Sequence, residues 1–434
     1  MNSNANATVS APDATCTLRE FGPEDDALRK WTIIGLLSLG AIIAYVSRSN
    51  LAVALTLPSF AHSFGLSETG RGTVNSAFFW AYAALQIPAG WVVDRYGVKW
   101  PYALCLLFWC LASAGTSLVT SLDQLILLRL LVGTGEAVSV PASARWIRTN
   151  FPERRRGLAM GLYMTGTKIG PAIGAPLAVW LLTDHSWRTM FLIVGTGGLF
   201  WLIPWIWMVK DQRPDRRSTE SVRVSSPNRL TFGTLVASPV IWGTVMATFA
   251  YMYFVYFCLT WMPAYLTEQR HLSLSQMGMY TFFGFGGMAA VAALGGWSAD
   301  HIIGRGGNPV TVRKCFTIVG FAIAGTELVG AQSSSITVAL MFSIISLSGL
   351  GLATANYWAL TQTLIPAPAI GRVSGIQNCA ASVAGIAAPI FTGWLKQRTG
   401  SYHAPMFACF AFLVVGVLSY FLMVKSRYAP RPGL

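Results

Sequence analysis

Four ionisable side chains stand inside apolar stretches of this chain: Arg48, Arg129, Glu136 and Lys168. A charged group in a bilayer costs roughly 2.5 to more than 10 kcal/mol, depending on how it is measured. Such a residue marks a function unless its side chain reaches back to the interface. A carboxylate set among cations in a low-dielectric region is the equipment needed to carry an anion together with a proton.

Glu136 follows Arg129 by seven residues, nearly two turns, so the two share one helical face. Between them, Gly133-Thr-Gly135 allows another backbone to come close. Desolvation raises a carboxyl pKa and a nearby cation lowers it. A site whose hydration and cationic neighbours change between states can therefore take up and release a proton, whereas a fixed Arg–Glu pair would only hold helices together. Arg48 lies about 17 positions into its apolar segment, ~26 Å of helical rise, in a polar patch with Tyr45, Ser47 and Asn50. Its planar fork matches a carboxylate. For Lys168, on a stripe with Thr165 and Ala172 and surrounded by glycines, three readings stay open: neutralising a second substrate anion, pairing with an acidic neighbour, or snorkelling. Glu327, near the outer end of its helix, is expected to be wetted or paired there.

The elements that carry these residues follow from composition. The chain is 53% hydrophobic and 11% charged, with a mean hydropathy of +0.52, whereas soluble domains carry roughly 25% charged residues. Apolar runs long enough to span a bilayer fall near 31–56, 73–93, 100–119, 122–144, 157–182, 188–209, 238–266, 276–298, 314–332, 335–364, 373–395 and 402–424. Twelve helices put both termini on one side. Of the 31 Lys and Arg, three are Arg48, Arg129 and Lys168. Five (Arg71, Arg188, Arg270, Lys396, Arg398) lie in the loops opposite the termini, and 31 − 3 − 5 = 23 lie on the terminal side. The positive-inside bias then predicts cytoplasmic termini. It also accounts for the net charge of +14 without nucleic acid. The clusters Arg154 to Arg156 and Arg213 to Arg217 read as topology signals that can also touch anionic lipid. Residues 1–30 read as a disordered cytoplasmic tail, 210–236 as a cytoplasmic linker, and 425–434 as a second tail. The seven cysteines show no metal-ligand spacing, and disulfides are not expected. No nucleotide-binding loop appears and the five histidines fall near helix ends or loops, which argues against an enzyme.

The chain repeats itself. Gly90-Trp-Val-Val-Asp94-Arg95-Tyr-Gly97-Val-Lys99 closes the second helix, and Gly296-Trp-Ser-Ala-Asp300-His-Ile-Ile-Gly304-Arg305 closes the eighth, 206 residues later. Ala172 to Pro176 is echoed by Gly385 to Pro389, an offset of 213. Two parallel six-helix halves, 31–209 and 237–424, place a substrate site between them near the midplane.

The Gly-x-x-x-Asp-Arg-x-Gly-x-Lys motif with its degenerate copy resembles the signature of the major facilitator superfamily. A further set of motifs is similar to its anion:cation symporter branch. These are Tyr45-Val-Ser47-Arg48-Ser-Asn50, Phe78-Phe-Trp80-Ala-Tyr82 through Gln86 to Gly90, Arg129 through Gly133-Thr-Gly135-Glu136 to Pro141, Trp261-Met-Pro263-Ala-Tyr265, Asn356-Tyr-Trp358 and Gly375-Ile-Gln-Asn378. The resemblance covers nearly all of 31–424. It implies an all-α polytopic membrane protein, with twelve transmembrane helices in two pseudo-symmetric six-helix bundles. The implied activity is proton symport of an organic anion, a carboxylate such as a sugar acid or dicarboxylate, with the proton as coupling ion and no other cofactor. An antiporter or an uncoupled carrier is the alternative. By resemblance, Arg48 grips the substrate anion, with Tyr45, Tyr82, Trp358 and Asn378 beside it. Glu136, with Arg129, couples to the proton, and Asp94, Arg95 and Asp300 form conformational latches on the terminal side. Proton-coupled sugar-acid carriers of this branch often have aspartate before the first-helix arginine. Here that position is Ser47, which leaves Glu136 as the main proton carrier. A monomer in the plasma membrane, among lipids, is expected.

Overall fold

The computed structural model describes residues 23–210 and 232–429. Twelve long helices account for nearly all of it: α1 (Pro23–Ala54), α2 (Glu68–Tyr96), α3 (Lys99–Leu118), α4 (Leu122–Asn150), α5 (Glu153–Asp184), α6 (Trp187–Met208), α7 (Pro239–Thr260), α8 (Leu274–Gly304), α9 (Pro309–Gln332), α10 (Ile336–Leu364), α11 (Ala367–Thr399) and α12 (His403–Leu422). Eleven are apolar enough along their length to cross a membrane. The twelfth, α5, is diluted by its glycines and prolines and by Lys168, and is inserted in the same bundle. Large side chains such as Leu104, Ile203 and Trp207 face outward, which suits contact with lipid.

Short polar signals set where the helices begin. α2, α4, α6, α8 and α10 all start on the side opposite the termini with a serine N-cap: Ser67, Ser121, Ser186, Ser273 and Ser335. Each hydroxyl accepts from a backbone N–H of the first turn, which would otherwise be unsatisfied. At Ser273 the cap is reciprocal, because Gln276 Oε1 accepts from the Ser273 N–H at 3.0 Å. On the terminal side, α2 ends at Gly97 with φ 85°, a left-handed turn that favours glycine.

The helices assort into two halves, α1–α6 and α7–α12. Within the first, α1 runs alongside α5. An alanine Cβ at Gly166, Gly170 or Gly174 would collide with Ser38, Tyr45 or Ser49 of α1. The halves meet along α2–α11 and α5–α8, with α1 near α7.

Several boundaries differ from the expectation. Helix α1 already begins at Pro23, because Arg29 donates to the Met208 carbonyl at 3.1 and 2.5 Å and ties the start of α1 to the end of α6. The tail therefore shortens; residues 1–22, most of the linker (211–231, with the Arg213 to Arg217 cluster) and 430–434 lie outside the described residues. The linker's last residues form a short helix, Phe232–Ala237. The long stretch 238–266 does not continue as one tilted rod. It breaks after Thr260, where Pro263 lacks the N–H a helix would use. The stretch 335–364 breaks at Leu350. Helix α4 breaks likewise at Ala137–Val138, directly after Glu136, so the fourth helix of each half is discontinuous. In the second repeat the left-handed glycine is Gly306, φ 98°, rather than Gly304, which is still helical.

Candidate functional site

Glu136 occupies the last turn of the first segment of α4, and α4 is pressed there between α2 and α3. A Cβ at Gly133 would overlap the Phe78 carbonyl, and one at Gly135 would come within 2.8 Å of Trp109. The carboxylate is fully buried, and its cation nearly so. That cation is Arg48 of α1. Its Nε donates to Glu136 Oε2 at 2.8 Å and its Nη2 contacts the same oxygen at 2.7 Å. No donor among the described residues reaches Oε1. The guanidinium lies over the rings of Tyr45 and Phe78, each 4.3 Å from the centroid, and Tyr82, 5.2 Å, and Tyr82 stacks on Phe78. The aromatic cage fixes the guanidinium plane and keeps water from its faces.

This arrangement corrects the pairing read from spacing. Arg129 and Glu136 share a helical face, but seven residues are ~10.5 Å of rise, too far for contact. Arg129 instead reaches Thr116 at 3.4 Å and Phe191. Arg48, arriving from another helix at the level of Glu136, takes the carboxylate. Ser47 turns away to Ser113, 3.1 Å.

The remaining candidates divide into two places. Asn378 of α11 donates to Gln86 of α2 across the boundary between the halves. Lys168 is buried, makes no hydrogen bond or ion pair with a described residue, and sits with Nζ 5.7 Å from the ring of Tyr251 on α7. Tyr251 packs on Tyr357, and Tyr357 on Trp358, so Trp358 belongs with the Lys168 group rather than with Arg48. Asp94 pairs with Arg145 of α4, and Asp300 with Arg313 of α9 at 2.8 Å. Each pair stays within its own half. Arg95 lies over Trp91 and Tyr96. Glu327 is not wetted. It is 3% exposed and accepts from Ser343 and Ser346 of α10 at 2.6 Å each.

A further cluster went unread in the sequence. On the side opposite the termini, Arg71 donates to Glu268 Oε1 at 2.7 Å, to Glu68 at 3.2 Å and to the Leu55 carbonyl at 2.7 Å. Lys396 bonds Glu68 at 2.9 Å and also Glu268, Tyr402 donates to Glu268 at 3.0 Å, and Thr69 bonds Gln397. Below this network α2 and α11 touch backbone to backbone, since a Cβ at Gly72 would overlap the Pro389 carbonyl. Glu68 and Arg71 belong to one half, Glu268 and Lys396 to the other, so the network is a closed gate between halves. Burial works upward on the Glu268 carboxyl, but Arg71 and Lys396 outweigh it and hold the group below its ordinary range. The only sequence signal was that these charges, counted as loop residues, come in both signs at matching depths of two helix ends.

Two helical bundles meeting over a buried charge pair, with an ionic gate on one side, form the architecture of a membrane transporter rather than an enzyme. The chain belongs to the Major Facilitator Superfamily, whose model matches residues 37–389. It is 30% identical to the D-galactonate transporter of Escherichia coli O6:H1, over 91% of this chain and 96% of that one. It is also 30% identical to the hexuronate transporter of Bacillus subtilis, over 93% and 95%. Among solved structures, a bacterial homolog of the human lysosomal transporter Spinster, in an inward-facing and unoccupied conformation, superposes with a TM-score of 0.76 at 18% identity, covering 92% of this chain and 98% of that one.

Proposed function

We propose that this transporter moves a small organic anion of the sugar-acid kind by proton symport, through alternating access, in the anion:cation symporter manner. The observation that carries the reading is the buried Arg48–Glu136 pair. While Glu136 is ionised it occupies the Nε–Nη2 edge of Arg48, two of its five N–H donors. A proton on Glu136, for which Oε1 is open to accept, weakens that hold. The released fork then receives the substrate carboxylate in two-point fashion. Proton and anion thus enter together, and the site's charge changes little on loading, which lets the halves rock around it. The names of the relatives, both carriers of sugar acids, support the substrate class.

With the termini in the cytoplasm of a plasma-membrane protein, as the basic residues favour, the closed gate of Arg71, Glu268, Glu68 and Lys396 faces outward. The structure is then the inward-open state. Asp94, Arg95 and Asp300 lie on the opposite side, where latches of the other state belong. Accumulation of an aldonate in proteoliposomes under an imposed pH gradient tests the proposal. Uptake indifferent to that gradient would overturn it.

A further inference from the structure

Among the described residues of the first half, the charges in the middle of the bundle leave two cations over. Arg129 and Lys168 are buried there and Arg48 nearly so, with one buried carboxylate, Glu136, which is committed to Arg48; Arg129 has Thr116 and the ring of Phe191. The other buried acid, Glu327, lies in the second half between two serines. Among the described residues Lys168 faces the ring of Tyr251, whose hydroxyl shares a 2.7 Å hydrogen bond with that of Thr354. A neutral ring steadies an ammonium but does not neutralise it. A buried charge without a counter-ion is expensive, and nothing in the packing of α5 requires a lysine here.

Its position points to the same place as Arg48. The contacts of α5 on α1 keep one register, with 166 − 38 = 170 − 42 = 174 − 46 = 128. Lys168 is therefore level with position 40 of α1, eight residues before Arg48 on a parallel helix, ~12 Å along the axis. The Arg48 guanidinium lies over the ring of Tyr45 on α1, and α1 meets α7, which carries Tyr251, the partner of Lys168, across the boundary between the halves. Two long cationic side chains thus stand near the boundary between the halves, ~12 Å apart along the helix axes, a separation that the two ends of a small extended molecule can span.

We propose that Lys168 receives a second anionic group of the substrate, so that the preferred cargo is a dianion: an acid with a carboxylate at one end for Arg48 and a second carboxylate or a sulfonate at the other. This rests on the carrier reading above and narrows its substrate class. A dianion leaves one unpaired charge in a low-dielectric cavity if Lys168 is removed, whereas a monoanion loses nothing it was using.

The experiment compares equilibrium binding of two probes on the same six-carbon backbone, a hexonate with one carboxylate and a hexarate with two, to the purified full-length protein. The wild type should bind the hexarate more tightly. Lys168→Met keeps length and apolar bulk and should lose about ten- to hundredfold in hexarate affinity, with hexonate affinity nearly unchanged. Lys168→Arg, which keeps the charge, should retain the preference, and this rescue guards against a Met variant that merely misfolds. Equal losses for both acids in Lys168→Met would overturn the inference and make Lys168 an electrostatic tuner of Arg48 or Glu136. So would hexonate binding that depends on Arg48 in a wild type with no hexarate preference; in that case the carrier reading stands. A wild type that binds neither acid would sink both.

Discussion

Glu136→Gln replaces the carboxylate by a neutral group of the same shape, and so imitates the protonated carrier permanently. In the structure two nitrogens of Arg48, Nε at 2.8 Å and Nη2 at 2.7 Å, fall on the one oxygen Oε2. A charge-assisted hydrogen bond contributes roughly 1.5–3 kcal/mol; in the Gln variant the charged donor remains, so only part of this, the attraction to the carboxylate charge, is lost. The two bonds share one negative charge and are not independent, so the loss is counted once, at about 1–1.5 kcal/mol. That amount no longer competes with the substrate carboxylate for Arg48. Affinity for an organic anion at neutral pH should therefore rise about five- to tenfold, and its dependence on pH should flatten. The ring contacts of Tyr45 and Phe78 at 4.3 Å continue to support the guanidinium, so the variant should fold. Binding is read by scintillation proximity, exchange by counterflow, and accumulation by uptake under a pH gradient. Exchange should persist while accumulation disappears. If the Gln variant binds no more tightly, keeps the wild-type pH profile and still concentrates substrate, Glu136 neither holds Arg48 nor carries the proton.

Two other outcomes follow from the same geometry. Arg48→Lys keeps the charge but offers no planar fork, so anion affinity should fall by about ten- to hundredfold while the thermal transition of the protein moves little; wild-type affinity in that variant would remove Arg48 from the site. In the gate, the Glu268 carboxyl is held below its ordinary range by Arg71 and Lys396 despite its burial, so its contribution to closure is complete above that range, about pH 4.3, and is lost only as pH falls through the lowered value. Spin-label distances across the gate should therefore stay constant from pH 8 to 5 and lengthen below about 4, whereas Glu268→Gln should lengthen them at neutral pH; a gate that opens between pH 7 and 6 would assign the closure to another group.

Much of this was legible from residue types alone. Apolar runs of bilayer length fixed the helices, and the motif pair at Asp94 and Asp300 fixed the two halves, because both are local or repeated signals. Arg48 and Glu136 stood out as candidates, since a charge in an apolar run has few bland explanations. Their partnership was not. Helical periodicity reports which residues share a face but says nothing of a neighbour arriving from another helix, so Arg129 looked like the natural partner on angle while the axial rise forbade it. The same limit hid the gate: Arg71 and Lys396 are 325 residues apart in sequence, and only the approach of α2 to α11 joins them through Glu68 and Glu268. For Glu327, distance from a helix end suggested water or a partner without saying which, and α10 supplies the partner as two serine hydroxyls. The break in α4 after Glu136 could have been suspected from Pro141, which removes one N–H of the second segment.

The central claim is that anion and proton cross together through the Arg48–Glu136 pair. The most direct measurement loads proteoliposomes of the wild-type protein with a pH-sensitive dye, clamps the membrane potential, and adds a sugar acid outside with no initial pH difference. The account predicts acidification of the lumen in step with uptake of the labelled acid, abolished in Glu136→Gln although that variant still exchanges the acid. Uptake of the acid by the wild type with no movement of protons would contradict it.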